Sequence, residues 1–187
     1  MRITGGSVRG RRLMAPRGRE VRPTSDKVRE AIFDRLGPGG VSGTVLDLFA
    51  GTGALGLEAL SRGAGVAVLV DRDPRALAAC RANAEALFGR TEAVRIVRAD
   101  ALAWVSGAGR GLGAELALLD PPYAFTRWAE LLDALRGCQV VRAGSIVVVE
   151  RSARSEAVQS SGYRALRPSC YGDTAVDLLV VEARNGA

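Results

Sequence analysis

Val45-Leu46-Asp47-Leu48-Phe49-Ala50-Gly51-Thr52-Gly53-Ala54-Leu55-Gly56 passes from an apolar, strand-like run through closely spaced glycines into a helix-like run. Gly51, Gly53 and Gly56 fit the spacing G-x-G-x-x-G. The early glycines let backbone approach a ligand, and the last lets the helix pack closely on the strand. A strand, a glycine loop and a helix in this order place a binding site at the carboxyl end of the strand.

The same alternation continues downstream. Strands are expected over Thr44–Phe49, Val66–Asp71, Val94–Arg98, Glu115–Asp120 and Ser145–Glu150. Helices are expected near Ala54–Ser61, stopped at Gly63, over Pro74–Leu87, started by Asp73-Pro74, and over Thr126–Leu135. Strands alternating with helices predict a parallel sheet covered on both faces. Two further strands, near 163–167 and 175–183, have no helix between them and predict an antiparallel hairpin at the end of that sheet. Upstream, Thr24 or Ser25 is placed to cap a helix with Val28, Ala31, Ile32 and Leu36 on one face, ended by Gly37-Pro38-Gly39-Gly40. The glycine- and alanine-rich stretch 101–113 reads as a loop without an assigned role.

Three acids close consecutive strands. Asp47 lies four residues before Gly51, where a carboxylate suits a cationic ligand and would repel a pyrophosphate. Asp71 lies 20 residues beyond Gly51 and is placed to hold ribose hydroxyls. Asp100 follows the third strand and could meet an adenine amino group. With Ala50, Gly51 and Gly53, these residues form an expected S-adenosylmethionine site. The glycine spacing and Asp71 alone would also suit a nicotinamide dinucleotide in an oxidoreductase. Asp47 and Asp71 could instead cap the turns that follow them.

The chain has 187 residues and no histidine. That removes Ser-His-Asp and Cys-His catalysis and any imidazole zinc site, and no metal is expected. Cys80, Cys138 and Cys170 form no CxxC pair and are expected as reduced, buried thiols. No apolar run approaches the ~18 residues of a membrane helix, and the basic N-terminus lacks the apolar stretch of a secretory signal. A cytoplasmic protein, monomeric and without a membrane partner, is the expectation.

The net charge of +6 is concentrated. Residues 1–22 carry seven arginines (Arg2, Arg9, Arg11, Arg12, Arg17, Arg19, Arg22) against Glu20, and the rest of the chain is balanced. This divides the sequence into a basic arm, 1–22, and a neutral body, 23–187. Arginine in place of lysine has a compositional reading, since Lys27 is the only lysine, but that does not explain the clustering. A basic arm is the footprint of a phosphate-rich partner. Arg9, Arg11, Arg12 and Arg22 are the candidate RNA contacts, with Arg29 extending the patch or standing as a solvated helix residue.

Asp120-Pro121-Pro122-Tyr123 closes the fourth strand. An exocyclic base amine is a poor nucleophile because its lone pair is delocalised into the ring. A carboxylate and a rigidly held carbonyl that accept its two N–H groups favour a pyramidal nitrogen and stabilise the developing positive charge. Asp120 supplies the carboxylate. Pro121 supplies the carbonyl, fixed by two consecutive proline φ angles at Pro121 and Pro122. Tyr123 offers an aromatic face to a base taken out of its stack. An activated methyl donor needs neither strong base nor metal. No Pro-Cys pair is present for carbon-5 methylation of cytosine. The tetrapeptide by itself serves guanine N2 and adenine N6 equally, so adenine methylation of DNA stays open on this motif.

With these blocks assembled, the chain resembles the RsmD-like 16S ribosomal RNA guanine-N2 methyltransferases. The resemblance covers nearly its whole length. It rests on the stretches 1–13, 22–33, 46–60 and 120–123 and on Tyr171-Gly172-Asp173-Thr174. It implies a class I S-adenosylmethionine-dependent methyltransferase fold, an α/β architecture with a seven-stranded, mostly parallel sheet, here preceded by a small basic hairpin-like arm. It also implies a guanine in 16S ribosomal RNA as substrate, presented in a partly assembled small subunit. A catalytically silent RNA-binding protein is the reading that the intact tetrapeptide opposes.

Overall fold

A computed structural model describes residues 1–15, 25–37, 41–166 and 168–183. Its elements in chain order are α1 (Asp26–Leu36), β1 (Thr44–Leu48), α2 (Ala54–Ser61), β2 (Val66–Asp71), α3 (Pro74–Phe88), β3 (Val94–Arg98), α4 (Ala101–Ser106), β4 (Ala114–Leu119), α5 (Trp128–Gly137), β5 (Val141–Ser152), β6 (Tyr163–Ala165), β7 (Ser169–Tyr171) and β8 (Thr174–Val181). The strands form one sheet in the order β3-β2-β1-β4-β5-β8-β6, with β7 also paired to β8. β1 to β5 run parallel, and β8 returns antiparallel against β5.

The central strands β1, β2 and β4 are largely buried on both faces, which is why they read as mostly apolar runs. On one face Leu46, Leu48, Val70, Ala117, Leu119 and Val149 pack with Trp104 and Val105 of α4 and with Leu131, Leu132 and Leu135 of α5. On the other, Val45, Leu116, Leu118 and Val148 meet Val28, Ile32 and Phe33 of α1 and Leu55 and Ala59 of α2. Gly56 lets α2 sit close against β2. A Cβ there would stand 2.1 Å from a methyl carbon of Leu69.

The N-terminal residues fold back onto the body. Ile3 is fully buried and Leu13 nearly so, among Leu57, Leu69, Cys80, Ala84 and Leu87. Arg2 and Arg12 form an antiparallel bridge. Gly6, at φ +78°, passes so close to α2 that a Cβ would fall 1.8 Å from the Ser61 carbonyl oxygen. Arg2, Arg9, Arg11 and Arg12 are therefore carried by a docked segment, and removing it would uncover an apolar seat.

Several expectations shift. The stretch 101–113 begins with a helix, α4, whose first turn is capped by the Asp100 carboxylate accepting from Ala103 N. α5 starts at Trp128, two residues later than expected, and β5 starts at Val141, four earlier. The closing hairpin has a broken partner. β6 pairs with one end of β8 and β7 with the other. Ser25 caps α1 by accepting from Val28 N; Thr24 lies outside the described residues. Of the cysteines only Cys80 is buried, while Cys138 is half-buried and Cys170 exposed. Among the described residues no helix is long and apolar enough to cross a membrane.

Candidate active site

A cleft of about 1180 Å³ runs along the carboxyl ends of the parallel strands. Asp47, Ala50, Gly51, Asp71, Asp100 and the whole of Asp120–Tyr123 line it. The structure thus brings the expected cofactor residues and the expected catalytic tetrapeptide into one cavity. Gly53 sits just behind the wall.

The loop after β1 holds three alternate positions in the left-handed region: Phe49 at φ +67°, Gly51 at +56° and Gly53 at +80°. Glycine adopts this conformation readily, whereas Phe49 does so at a cost of about 1–2 kcal/mol. Phe49 is held there by an edge-to-face contact with Phe125, centroids 5.3 Å apart, and Phe125 stacks in the same manner on Trp128 at 4.9 Å. The aromatic chain ties the glycine loop to the segment after the tetrapeptide. Gly51 faces open space, so a Cβ there would meet only the Phe49 carbonyl, at 3.9 Å. Gly53 faces inward, where a Cβ would lie 2.7 Å from Cys80 Sγ. The two glycines thus serve different needs: Gly51 leaves a cradle for a ligand, and Gly53 permits the packing beneath it.

The strand-end acids each hold backbone. Asp47, 2 % exposed, accepts from Gly56 N at 2.8 Å and so caps α2 from the neighbouring strand. Asp71 accepts from Gly51 N and Asp73 N, each at 2.8 Å. Asp73 in turn caps α3 through Arg75 N. Burial pushes the Asp47 carboxyl up to about 8; Asp120 and Asp71 push the same way, and the Gly56 N–H opposes them.

Asp120 is half-buried at the end of β4, and Pro121 is buried. The Pro122 carbonyl accepts from Phe125 N at 2.8 Å, closing a turn. Tyr123 stands 56 % exposed on the rim, among the most exposed large apolar side chains described.

Of the candidate RNA contacts, Arg9, Arg11 and Arg12 are exposed, and Arg11 donates to the Ala86 carbonyl at 2.9 Å. Arg22 lies outside the described residues. Arg29 requires correction. Its side chain is fully buried, its Nε donates to Glu58 at 3.2 Å and its Nη2 pairs with Asp26 at 2.8 Å and with the Arg2 carbonyl. A guanidinium so enclosed has no surface to give a phosphate.

Sequence reading passed over three residues that organise the site. Glu58 is fully buried on α2 and accepts from Thr4 N, Thr4 Oγ1, Gly5 N, Arg29 Nε and Arg62 Nε. Its signal was present: a lone carboxylate in the apolar helix Ala54-Leu-Gly-Leu-Glu-Ala-Leu-Ser61. Asn83, 1 % exposed, accepts from Met14 N and donates to the carbonyls of Met14 and Thr52. It staples the N-terminal segment to the glycine loop. Glu150, 7 % exposed, ends the apolar run of β5 and lines the cleft.

The dinucleotide fold has the strand order 3-2-1-4-5-6. An antiparallel strand inserted between β5 and the edge, with a glycine loop after β1 and Asp-Pro-Pro-Tyr after β4, defines instead a class I S-adenosylmethionine-dependent methyltransferase. The family model described as Conserved hypothetical protein 95, the RsmD family, matches residues 1–180. The chain belongs to this family. It is 38% identical over 178 residues to "Putative rRNA methyltransferase YlbH" of Bacillus subtilis, covering 94% of this chain and 96% of that one. To the Escherichia coli K12 protein named Ribosomal RNA small subunit methyltransferase D it is 40% identical over 123 residues, 66% of this chain and 60% of that one. The solved structure "Putative methyltransferase yhhF from Escherichia coli" superposes with a TM-score of 0.86 at 32% identity, covering 98% of this chain and 99% of the other.

Proposed function

We propose that this protein methylates the exocyclic N2 amine of a guanine in 16S ribosomal RNA, within an assembled or partly assembled small subunit, using S-adenosylmethionine. The observation that carries the reading is the sharing of one cleft by the glycine loop and Asp120–Tyr123. The names of the relatives, rRNA and small-subunit methyltransferases, support RNA as the substrate.

The cleft suits the cofactor. Gly51 leaves a cradle, Asp47 offers a buried carboxylate to the cationic methionine end, and Asp71 and Asp100 border the side meant for ribose and adenine. The bound cofactor supplies an activated methyl group. The chain's residues do the rest. Asp120 accepts one N2–H of the base, the Pro121 carbonyl accepts the other, and Tyr123 stacks on the ring. Together they free the nitrogen lone pair and stabilise the charge that builds on it.

The deciding experiment treats small subunits and naked 16S RNA from a strain lacking the protein with enzyme and S-adenosylmethionine, then identifies the product nucleoside by mass spectrometry. N2-methylguanosine is expected. N6-methyladenosine would move the assignment to the other amine that this tetrapeptide serves.

The state of Asp47 yields a pH prediction. Its folded value, about 8, lies above the 3.8 of the unfolded chain. Its contribution to the stability of the free protein therefore falls as pH rises from about 4 to about 8. A cation beside it favours the carboxylate, so cofactor binding at pH 7 should release a proton from Asp47. Affinity should rise with pH up to about 8. Calorimetry at pH 7 in buffers of different ionisation enthalpy measures the release. Asp47→Asn keeps an acceptor for Gly56 N–H and should abolish the Asp47 part. An identical proton count in wild type and variant would separate Asp47 from the cation.

Exposed Arg9 and Arg12 are assigned to RNA phosphates. Arg9→Ala with Arg12→Ala leaves the buried face of the segment intact. It should weaken binding to subunits while sparing cofactor affinity. The slope of log K against log salt should also shrink, by about 0.7 for each phosphate on single-stranded RNA that is no longer neutralised. An unchanged slope would leave the two arginines as solvated surface.

A further inference from the structure

We infer that Glu150 determines base specificity, accepting the N1–H of guanine beside the N2 amine held by Asp120. The inference rests on the proposed guanine-N2 reading. Its basis is register. β4 and β5 are parallel neighbours whose last paired residues are Leu119 and Val149. One step further, Asp120 follows the last residue of β4, and Glu150 lies beside it on β5, which runs on to Ser152. Side chains alternate along a strand, so both carboxylates project to the face that carries Leu118 and Val148, opposite to that of Leu119 and Val149. On β8 Glu150 is paired with Val176, which packs in the same cluster as Leu118 and Val148. Adjacent strands lie about 4.8 Å apart. Both residues line the cleft, and Glu150 is nearly enclosed. Tyr171 and Thr174, the ends of the β7–β8 hairpin, line the same cleft.

This arrangement fits one edge of one base. Guanine carries two neighbouring donors, N1–H and N2–H₂, and two carboxylates on neighbouring strands can accept from both. A ring with a bare N1 presents a lone pair at the same place. Such a ring would set the Glu150 carboxylate against a second acceptor. Two acceptors forced to face each other in a nearly enclosed site are a mismatch that lets the site reject a near-isosteric ligand strongly. The tetrapeptide cannot make this distinction, because its hydrogen bonds go only to the amine and Tyr123 meets only the face of the ring.

2,6-Diaminopurine separates the two contacts, since it keeps the 2-amino group and lacks the N1 proton. Ligated 16S RNA, with guanine or 2,6-diaminopurine at the mapped target, would be assembled into small subunits and methylated. Wild-type enzyme should prefer guanine by about 100-fold in kcat/KM. Glu150→Gln can accept from the guanine N1–H through its oxygen or donate to a bare N1 through its amide. It should narrow the preference to within about tenfold, with thermal unfolding and cofactor affinity measured alongside as checks on its fold. An equal loss on both templates would make Glu150 a structural residue and overturn the inference. So would a wild-type enzyme that takes 2,6-diaminopurine within tenfold of guanine, a result independent of whether any variant folds. Either result would leave guanine-N2 methylation standing. A wild-type product other than N2-methylguanosine would remove that reading, and this inference with it.

Discussion

Alanine at Asp120 is expected to cut kcat about 100- to 1,000-fold, the usual cost of removing one preorganised electrostatic contact from a transition state, about 3–4 kcal/mol. Cofactor affinity should hold or rise slightly, because the Asp120 charge is one of the influences that keep Asp47 protonated. Asp120→Asn retains an acceptor oxygen without the charge and should keep part of the activity. Tyr123→Phe should be mild and Tyr123→Ala severe, since the exposed ring offers its face to the base. Single-turnover methylation of small subunits, with calorimetry on the cofactor, separates the two effects. Near wild-type turnover by Asp120→Ala would reduce the tetrapeptide to a turn.

Glu58→Ala should be the most damaging substitution outside the cleft. The carboxylate is fully buried and serves five donors, two of them on the guanidiniums of Arg29 and Arg62. Removing one partner of a buried ion pair typically costs about 3–5 kcal/mol, because the other charge is left enclosed. Arg29 keeps Asp26 as a partner, which places the loss within that range instead of above it. For a domain of this size it corresponds to a fall in Tm of about 6–20 °C. Glu58→Gln keeps acceptor oxygen for the Thr4 and Gly5 amides and should fall less. The readout is thermal unfolding by calorimetry. A Tm for Glu58→Ala indistinguishable from wild type would mean that the apolar contacts of Ile3 and Leu13 hold the segment unaided.

The parallel half of the fold was legible because β1, β2 and β4 are mostly apolar runs that lead into an acid, and α3 opens with Asp73-Pro74. At the far edge the two antiparallel strands near 163–167 and 175–183 were legible as well, but β7 was not: it has three residues, pairs with the other end of β8 and has no periodicity of its own. α4 was hidden by Gly107, Gly109, Gly111 and Gly113, although Asp100 two residues before Leu102 is a helix-start signal. In the site, the glycine spacing and Asp120–Tyr123 could be read directly, since their chemistry lies in adjacent residues. Arg29 was misread because a charge count treats every arginine as solvated. Whether it is buried depends on a carboxylate 29 positions away. Glu150 was missed for the same kind of reason: its relation to Asp120 exists only once β5 has paired with β4.

The docking of the N-terminal segment also bears on how the chain is made. Thr4 and Gly5 wait for Glu58, 54 and 53 positions later, and Met14 waits for Asn83, 69 positions later. At about 5–20 residues per second, several seconds of translation pass before those seats exist. During that interval Ile3 and Leu13 have no apolar partners from the body. Contacts of such separation form late, because the loop they close must be ordered first. This early-made segment is thus among the last to lock. Its closure joins α1, α2, α3 and the glycine loop, so an unlocked N-terminus marks a molecule whose methyl-transfer cleft is still unfinished.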